Sequence, residues 1–201
     1  MTYSELLAQI VNWIDHNEVT TARAAEMVTL AEAEMNRELR VRQMVAQARQ
    51  DTIIGTPRYT LPADWQGGRA FRVKYQEGWI ELQYLTPEQA DEQDWGNGIP
   101  WAYTIEGCSF RLVPTPNAVY RMKILYYQKI PALSNSNTSN WLLTLAPDAY
   151  LWGSLAKAEA FLRNDERIPV WQQQYAGALA SIMDADNHDR WSHGTMRMRA
   201  V

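Results

Sequence analysis

Residues 140–171, Asn-Trp-Leu-Leu-Thr-Leu-Ala-Pro-Asp-Ala-Tyr-Leu-Trp-Gly-Ser-Leu-Ala-Lys-Ala-Glu-Ala-Phe-Leu-Arg-Asn-Asp-Glu-Arg-Ile-Pro-Val-Trp, read as a helical hairpin behind an aromatic, apolar lead-in. Pro147 and Asp148 make a sound helix start, because proline lacks an N–H that the first turn would leave unused and an acid suits the positive end of the dipole. Leu151, Leu155, Ala158 and Leu162 then recur at helical spacing. Arg163 to Glu166 is a turn, and a last helix follows to about Asp189, with Pro169 tolerated in its first turn. Ile168, Trp171, Tyr175, Leu179 and Ile182 form its apolar stripe.

Working outward, the N-terminal end is also helical. Leu6, Leu7, Ile10, Val11 and Ile14 place an amphipathic helix over residues 3–15. After His16-Asn17 a longer helix is expected from about Thr20 to Ala48, rich in strong helix formers and striped by Ala24, Val28, Ala31, Met35 and Leu39. Glu34 with Arg37, and Glu38 with Arg42, sit at supportive charge spacings on its flank.

Between these ends the periodicity changes from helical to alternating. Phe71, Val73 and Tyr75 alternate with Arg72 and Lys74, and Trp79–Leu85 follows a turn at Glu77-Gly78. Residues 87–94 suggest one short acidic helix opened by Pro87. A second hairpin, 102–106 with 109–113, turns at Gly107-Cys108, and a strand from Val119 to Gln128 carries Tyr120, Met122, Ile124 and Tyr126 on one side. The expected fold is therefore α+β, with a helical bundle made by both ends, an inserted small antiparallel β-sandwich or barrel of five or six strands, and an extended tail. In residue terms this gives a helical body over 1–50 and 135–189, a β-rich insertion over 51–134, and an interaction tail over 190–201.

Composition narrows the function. Nine tryptophans in 201 residues admit two readings, a Trp-rich core or surfaces awaiting a partner. No apolar run approaches a membrane span, and Met1–Leu7 lacks a basic stretch with an apolar core, so neither membrane nor export signal is expected. The lone Cys108 cannot form an intramolecular disulfide, which fits a protein folded in a reducing cytosol. A net charge of −4 argues against general affinity for DNA phosphates while leaving room for a local basic patch.

Catalytic patterns are thin. Neither Gly67-Gly68 nor Gly96-Asn-Gly98 has the setting of a phosphate loop. Cys108 has no histidine near it in sequence to serve as a base. Asp184, Asp186, His188 and His193 carry metal-ligating atoms, but residues two apart on a helix diverge, so an ordinary ion pair is the simpler reading. Glu88, Asp91, Asp94 and Glu106 are candidate paired carboxylates for glycoside hydrolysis, and Trp65, Trp79, Trp95 and Trp101 a candidate sugar-stacking platform. No enzyme activity, cofactor or metal is expected; the alternative is a carbohydrate-binding or glycan-cleaving module. The segment Arg190–Val201 holds three arginines, two methionines, a tryptophan and no acid, the composition of an interface core.

Several blocks occur in order: Leu30-Ala-Glu-Ala-Glu-Met-Asn-Arg-Glu-Leu-Arg40 with Arg42, Leu61-Pro-Ala-Asp-Trp65, Leu85-Thr-Pro-Glu88, Gly98-Ile-Pro-Trp-Ala-Tyr103, Leu112-Val-Pro-Thr-Pro116, Tyr126-Tyr-Gln-Lys-Ile-Pro-Ala-Leu133 and the opening hairpin. In this series the chain resembles the head-to-tail connector adaptor proteins of tailed bacteriophages, of the short-tailed type with a β insertion. The resemblance implies a structural virion protein at the head–tail junction. It implies a homo-oligomeric ring, commonly dodecameric, beneath the portal protein, extending a channel through which genomic DNA passes without sequence-specific binding. Tail nozzle or tail fibre proteins would dock on it. The tail composition then makes Arg190, Trp191, Arg197, Met198 and Arg199 the expected portal contacts.

Overall fold

The structure, a computed structural model, describes residues 1–92, 96–163 and 166–192. It is α+β. The helices are α1 (Tyr3–Ile14), α2 (Thr21–Glu38), α3 (Pro87–Asp91), α4 (Trp141–Leu145), α5 (Pro147–Leu162) and α6 (Ile168–Ser192). The strands are β1 (Val45–Asp51), β2 (Arg58–Thr60), β3 (Trp65–Tyr75), β4 (Gly78–Glu81), β5 (Gln83–Tyr84), β6 (Asn97–Gly98), β7 (Ala102–Glu106), β8 (Ser109–Val113), β9 (Thr115–Pro116) and β10 (Arg121–Gln128). Two compact units result, residues 1–43 with 130–201 and residues 44–129.

In the helical unit, local chemistry sets the helix ends. Thr2 and Glu5 form a reciprocal capping box on α1, Thr20 caps α2, and Asn140 caps α4. α1 stops at Asp15 and α5 at Arg163, both in the left-handed conformation. The apolar stripes then pack together. Leu6, Ile10, Ala24, Ala31, Met35, Leu155 and Ala158 are all fully buried, and each large aliphatic contributes about 1.5–3 kcal/mol on leaving water. Gly153 lets α5 approach closely: a Cβ there would lie 3.0 Å from the Tyr175 ring and 3.3 Å from Ala31 Cβ.

A buried polar network runs through this core. Glu32 on α2 accepts the Leu133 N–H at 2.9 Å and the Tyr150 hydroxyl at 3.1 Å. Asn140 donates to that hydroxyl at 2.7 Å and to the Pro131 carbonyl at 2.8 Å, while its own oxygen accepts the Leu143 N–H. Asn36 accepts the Ile130 N–H at 2.8 Å. The irregular segment 130–140 thus finds its hydrogen-bond partners on α2 and α5, as buried backbone groups must. Burial pushes the Glu32 carboxyl above its ordinary value, and its two donors pull it only partly back.

The other unit is a sandwich of two four-stranded sheets, β1-β10-β3-β4 and β2-β8-β7-β5, with a small β6-β9 pair. Its core joins Phe71, Val73, Met122, Ile124 and Tyr126 from the first sheet to Tyr59, Phe110 and Leu112 from the second. Phe71 stacks on Tyr103 at 3.9 Å and meets Phe110 edge-on at 5.3 Å. The β10 pairing with β3 shifts register between Leu125 and Tyr126. There Gly68 leaves room for the Trp65 ring, which a Cβ would approach to 3.0 Å. The expected antiparallel sandwich is present, with two short parallel pairs added to it, β5 with β7 and β6 with β9.

The long helix expected over 20–48 also differs. α2 ends at Glu38, and residues 45–51 form β1, paired antiparallel with β10 from Val45↔Tyr127 to Asp51↔Arg121. Burial of Ala46 and Ala48 against the sandwich core overrides the helix propensity of a segment without glycine or proline.

Glu32→Ala should cost about 2–4 kcal/mol by orphaning two buried donors, whereas Glu32→Gln keeps an acceptor and should cost far less. Because the folded-state pKa is raised, the carboxyl's contribution is full below the ordinary carboxylate range and is lost as pH rises through the raised value. Urea unfolding of both variants across the acid range should show that pH-dependent component vanish in Glu32→Gln.

Candidate functional site

The last turns of α6, where the C-terminal segment begins, are tied to residues 40–42 by charge. Asp186 Oδ1 accepts the Arg42 backbone N–H at 3.0 Å and its Nε at 2.8 Å, and Arg42 Nη2 reaches Asp189 at 2.7 Å. Arg190, one helical turn beyond Asp186, donates to Asp186 Oδ2 at 2.8 Å and to the Arg40 carbonyl at 3.3 Å. Asp186 is buried while Arg42 remains partly exposed. Burial alone would raise the Asp186 carboxyl; the Arg42 hydrogen bonds and the Arg190 charge outweigh it and hold the group below the usual carboxylate range. A cleft of about 350 Å³ opens beside this cluster, lined also by Leu145, Asp148 and Ile182. Leu145 is 58% exposed. Acid, guanidinium and an uncovered leucine in one cleft suit a short peptide segment more than a small apolar ligand.

A second feature lies on the same helical unit. Trp152 on α5 stacks on Trp171 of α6 at 5.4 Å with their planes 6° apart, and Trp13 of α1 meets both edge-on at 5.3 and 5.9 Å. Three helices are stapled by one aromatic triad, yet Trp13 remains 49% exposed and the adjoining Val170 52%. At this place the inner edges are core, while the outer edge of Trp13 is exposed.

The five residues expected to contact a portal separate as follows. Arg190 lies inside α6, which runs to Ser192 and not to Asp189, and its guanidinium is engaged within the unit. Trp191 has its backbone in that helix. Arg197, Met198 and Arg199 lie outside the described residues.

The flank pairs read from helical spacing are also rearranged. Glu34 pairs with Lys157 at 2.6 Å, and Arg42 leaves α2 altogether to meet Asp186. Partners 144 residues apart carry no local pattern, so sequence reading had no signal for this cluster.

Among the described residues the candidate carboxylates are engaged in ion pairs and helix capping, and Trp65 and Trp79 do not share a face. Arg111 bridges Asp91 at 2.6 Å and Glu106 at 3.2 Å, and Arg58 adds a second bond to Glu106. Glu88 serves the N-terminal turn of α3, whose hydrogen bonds lower its carboxyl. Trp65 packs into the sandwich on Tyr126 and Phe71, whereas Trp79 lies on the opposite face of the same sheet under Lys123. Asp94 and Trp95 lie outside the described residues. No cluster of three metal-ligating side chains is formed among the described residues, and none of their helices is long and apolar enough to cross a membrane.

The model of the SU10 adaptor protein family matches residues 1–199 of the chain. No curated protein matches it.

Asp186→Asn should lower stability by about 1–2 kcal/mol, a charged hydrogen-bond loss discounted for the exposure of Arg42. Since the Asp186 pKa is depressed in the folded state, its contribution is present above the ordinary carboxylate range and lost as pH falls through the lowered value. Thermal melts of the wild type and variant should therefore converge in strong acid.

Proposed function

The chain belongs to that family, a bacteriophage head–tail adaptor family, and from this membership we propose that it forms a closed ring, a dodecamer, joining the capsid portal to the tail. The chain is a structural component of the virion. The proposed finer role is at the head–tail junction, where the ring extends the DNA channel and offers a surface to a tail nozzle or tail fibre protein. The match over nearly the whole length carries this reading, because both terminal helical segments and the β insertion fall within it.

A closed ring needs two different patches that meet between neighbouring copies. The half-exposed Trp13 edge is the kind of aromatic surface such contacts bury, and Trp and Tyr are enriched there because one edge packs while the other stays wet. The C-terminal segment supplies the portal contact in this proposal, through Arg197, Met198 and Arg199, with the cluster at Asp186 holding its root. Removal of residues 193–201 spares that cluster.

Purified protein, alone and mixed with its portal, should show a closed multimer by electron microscopy and sedimentation. Absence of any closed multimer in both conditions refutes the ring. Trp13→Ala should weaken assembly at least tenfold while the monomer stays folded. Truncation after Ser192 should leave the melting profile unchanged and abolish portal binding; retained binding would remove the segment from that role.

A further inference from the structure

The net charge of −4 conceals a strongly positive face on the sheet β1-β10-β3-β4. Met122 and Ile124 point into the sandwich core, as do Phe71 and Val73. Strand alternation therefore sends Arg121, Lys123, Arg72 and Lys74 to the opposite face. Ala46 and Ala48 pack against the core, so Arg49 and Asp51 of β1 join the outer set. Arg69, at the register shift, reaches the same face and lies 5.6 Å over the Tyr127 ring. Among the described residues six cations thus stand on this face beside two acids, Asp51 and Glu81, with Glu77 in the turn between β3 and β4 at its edge.

Both acids are already taken, Asp51 by Arg121 at 3.6 Å and Glu81 by Arg72 at 2.9 Å. Arg49, Arg69, Lys74 and Lys123 have no carboxylate partner among the described residues. The register sets Arg49, Lys123 and Arg72 side by side across three strands. Like charges directly opposite one another destabilise a sheet, so this row is an arrangement that folding alone does not favour. An external anion relieves it.

We propose that this sheet face binds the phosphodiester backbone of double-stranded DNA without reading its sequence. The overall charge does not forbid it, because fields decay within about 8 Å at physiological salt and the local excess is what a phosphate meets. Cations two residues apart on a strand recur at about 6.8 Å and adjacent strands at about 4.8 Å, which spreads the positive charge over a band instead of one point. An acidic protein surface, a second copy included, is the competing polyanion. The face favours phosphate over a protein: its two large aromatic rings, Trp79 (42% exposed) and Tyr127, each stand against a cation, Lys123 and Arg69, so the apolar surface is presented together with positive charge and not as the charge-depleted centre of a protein interface. The proposal stands on the sheet's own geometry and does not depend on ring assembly.

The test is fluorescence anisotropy of the full-length chain with short labelled duplexes of two unrelated sequences, titrated over salt. Four unpartnered cations predict a log–log salt slope of about −3.6, an affinity loss of roughly a hundredfold between about 50 and 200 mM salt, with both duplexes bound equally. Arg49→Gln and Lys74→Gln should each reduce the slope by about 0.9, while Arg58→Gln on the other sheet leaves it unchanged. Circular dichroism melts confirm folding of each variant, and the single substitutions stand if a combined one fails to fold. No binding at low salt overturns the proposal. So does binding that is indifferent to Arg49, Lys74 and Lys123 together. Loss of self-association in those variants, with DNA affinity unchanged, reassigns the face to protein contact and also overturns it.

Discussion

The carboxylate of Glu32 is the constraint on which the helical unit turns. The chain leaves this unit after Gln43 and returns at Ile130, so two distant segments must be fastened by something other than sequence neighbourhood. Glu32 does this by taking the Leu133 amide and the Tyr150 hydroxyl inside an otherwise apolar core. A buried charge is costly unless its lone pairs are satisfied, and this one drives its own pKa upward. Apolar packing alone would tolerate a slipped return segment; hydrogen bonds to Glu32, Asn36 and Asn140 accept one register.

Charge is sorted by place, and the sorting carries more functional information than the total. On the helical unit, Asp186 gathers Arg42 and Arg190 into a closed cluster that fixes where the C-terminal segment begins. On the sandwich, Asp91 and Glu106 are paired by Arg58 and Arg111, while an excess of cations lies on the outer face of the opposite sheet.

Much of the fold was legible. The amphipathic α1, the strand pair 102–113 and the buried row Met122, Ile124 and Tyr126 follow from spacing, because each period survives whatever it packs against, and the hairpin 140–171 follows from its helix start and turn signals, α5 being buried on nearly every side. Residues 45–48 did not, since Ala and Gln serve a helix as well as an edge strand and only pairing with β10 separates the two. The candidate site was less legible still. Arg190 drew notice as part of a basic segment, but its role in holding Asp186 needed the approach of residues 40–42, and the basic sheet face needed the register that lines up Arg49, Lys123 and Arg72.

Residue order was enough to establish the α+β class, the positions of most helix starts and turns, and the family series of short blocks, all of which depend on contacts within a few residues or on one repeating period. Folding alone settled which charges meet. Partners such as Arg42 with Asp186 and Glu32 with Leu133 are separated by a hundred residues or more, and electrostatic pairing depends on distance in space, which no local pattern encodes.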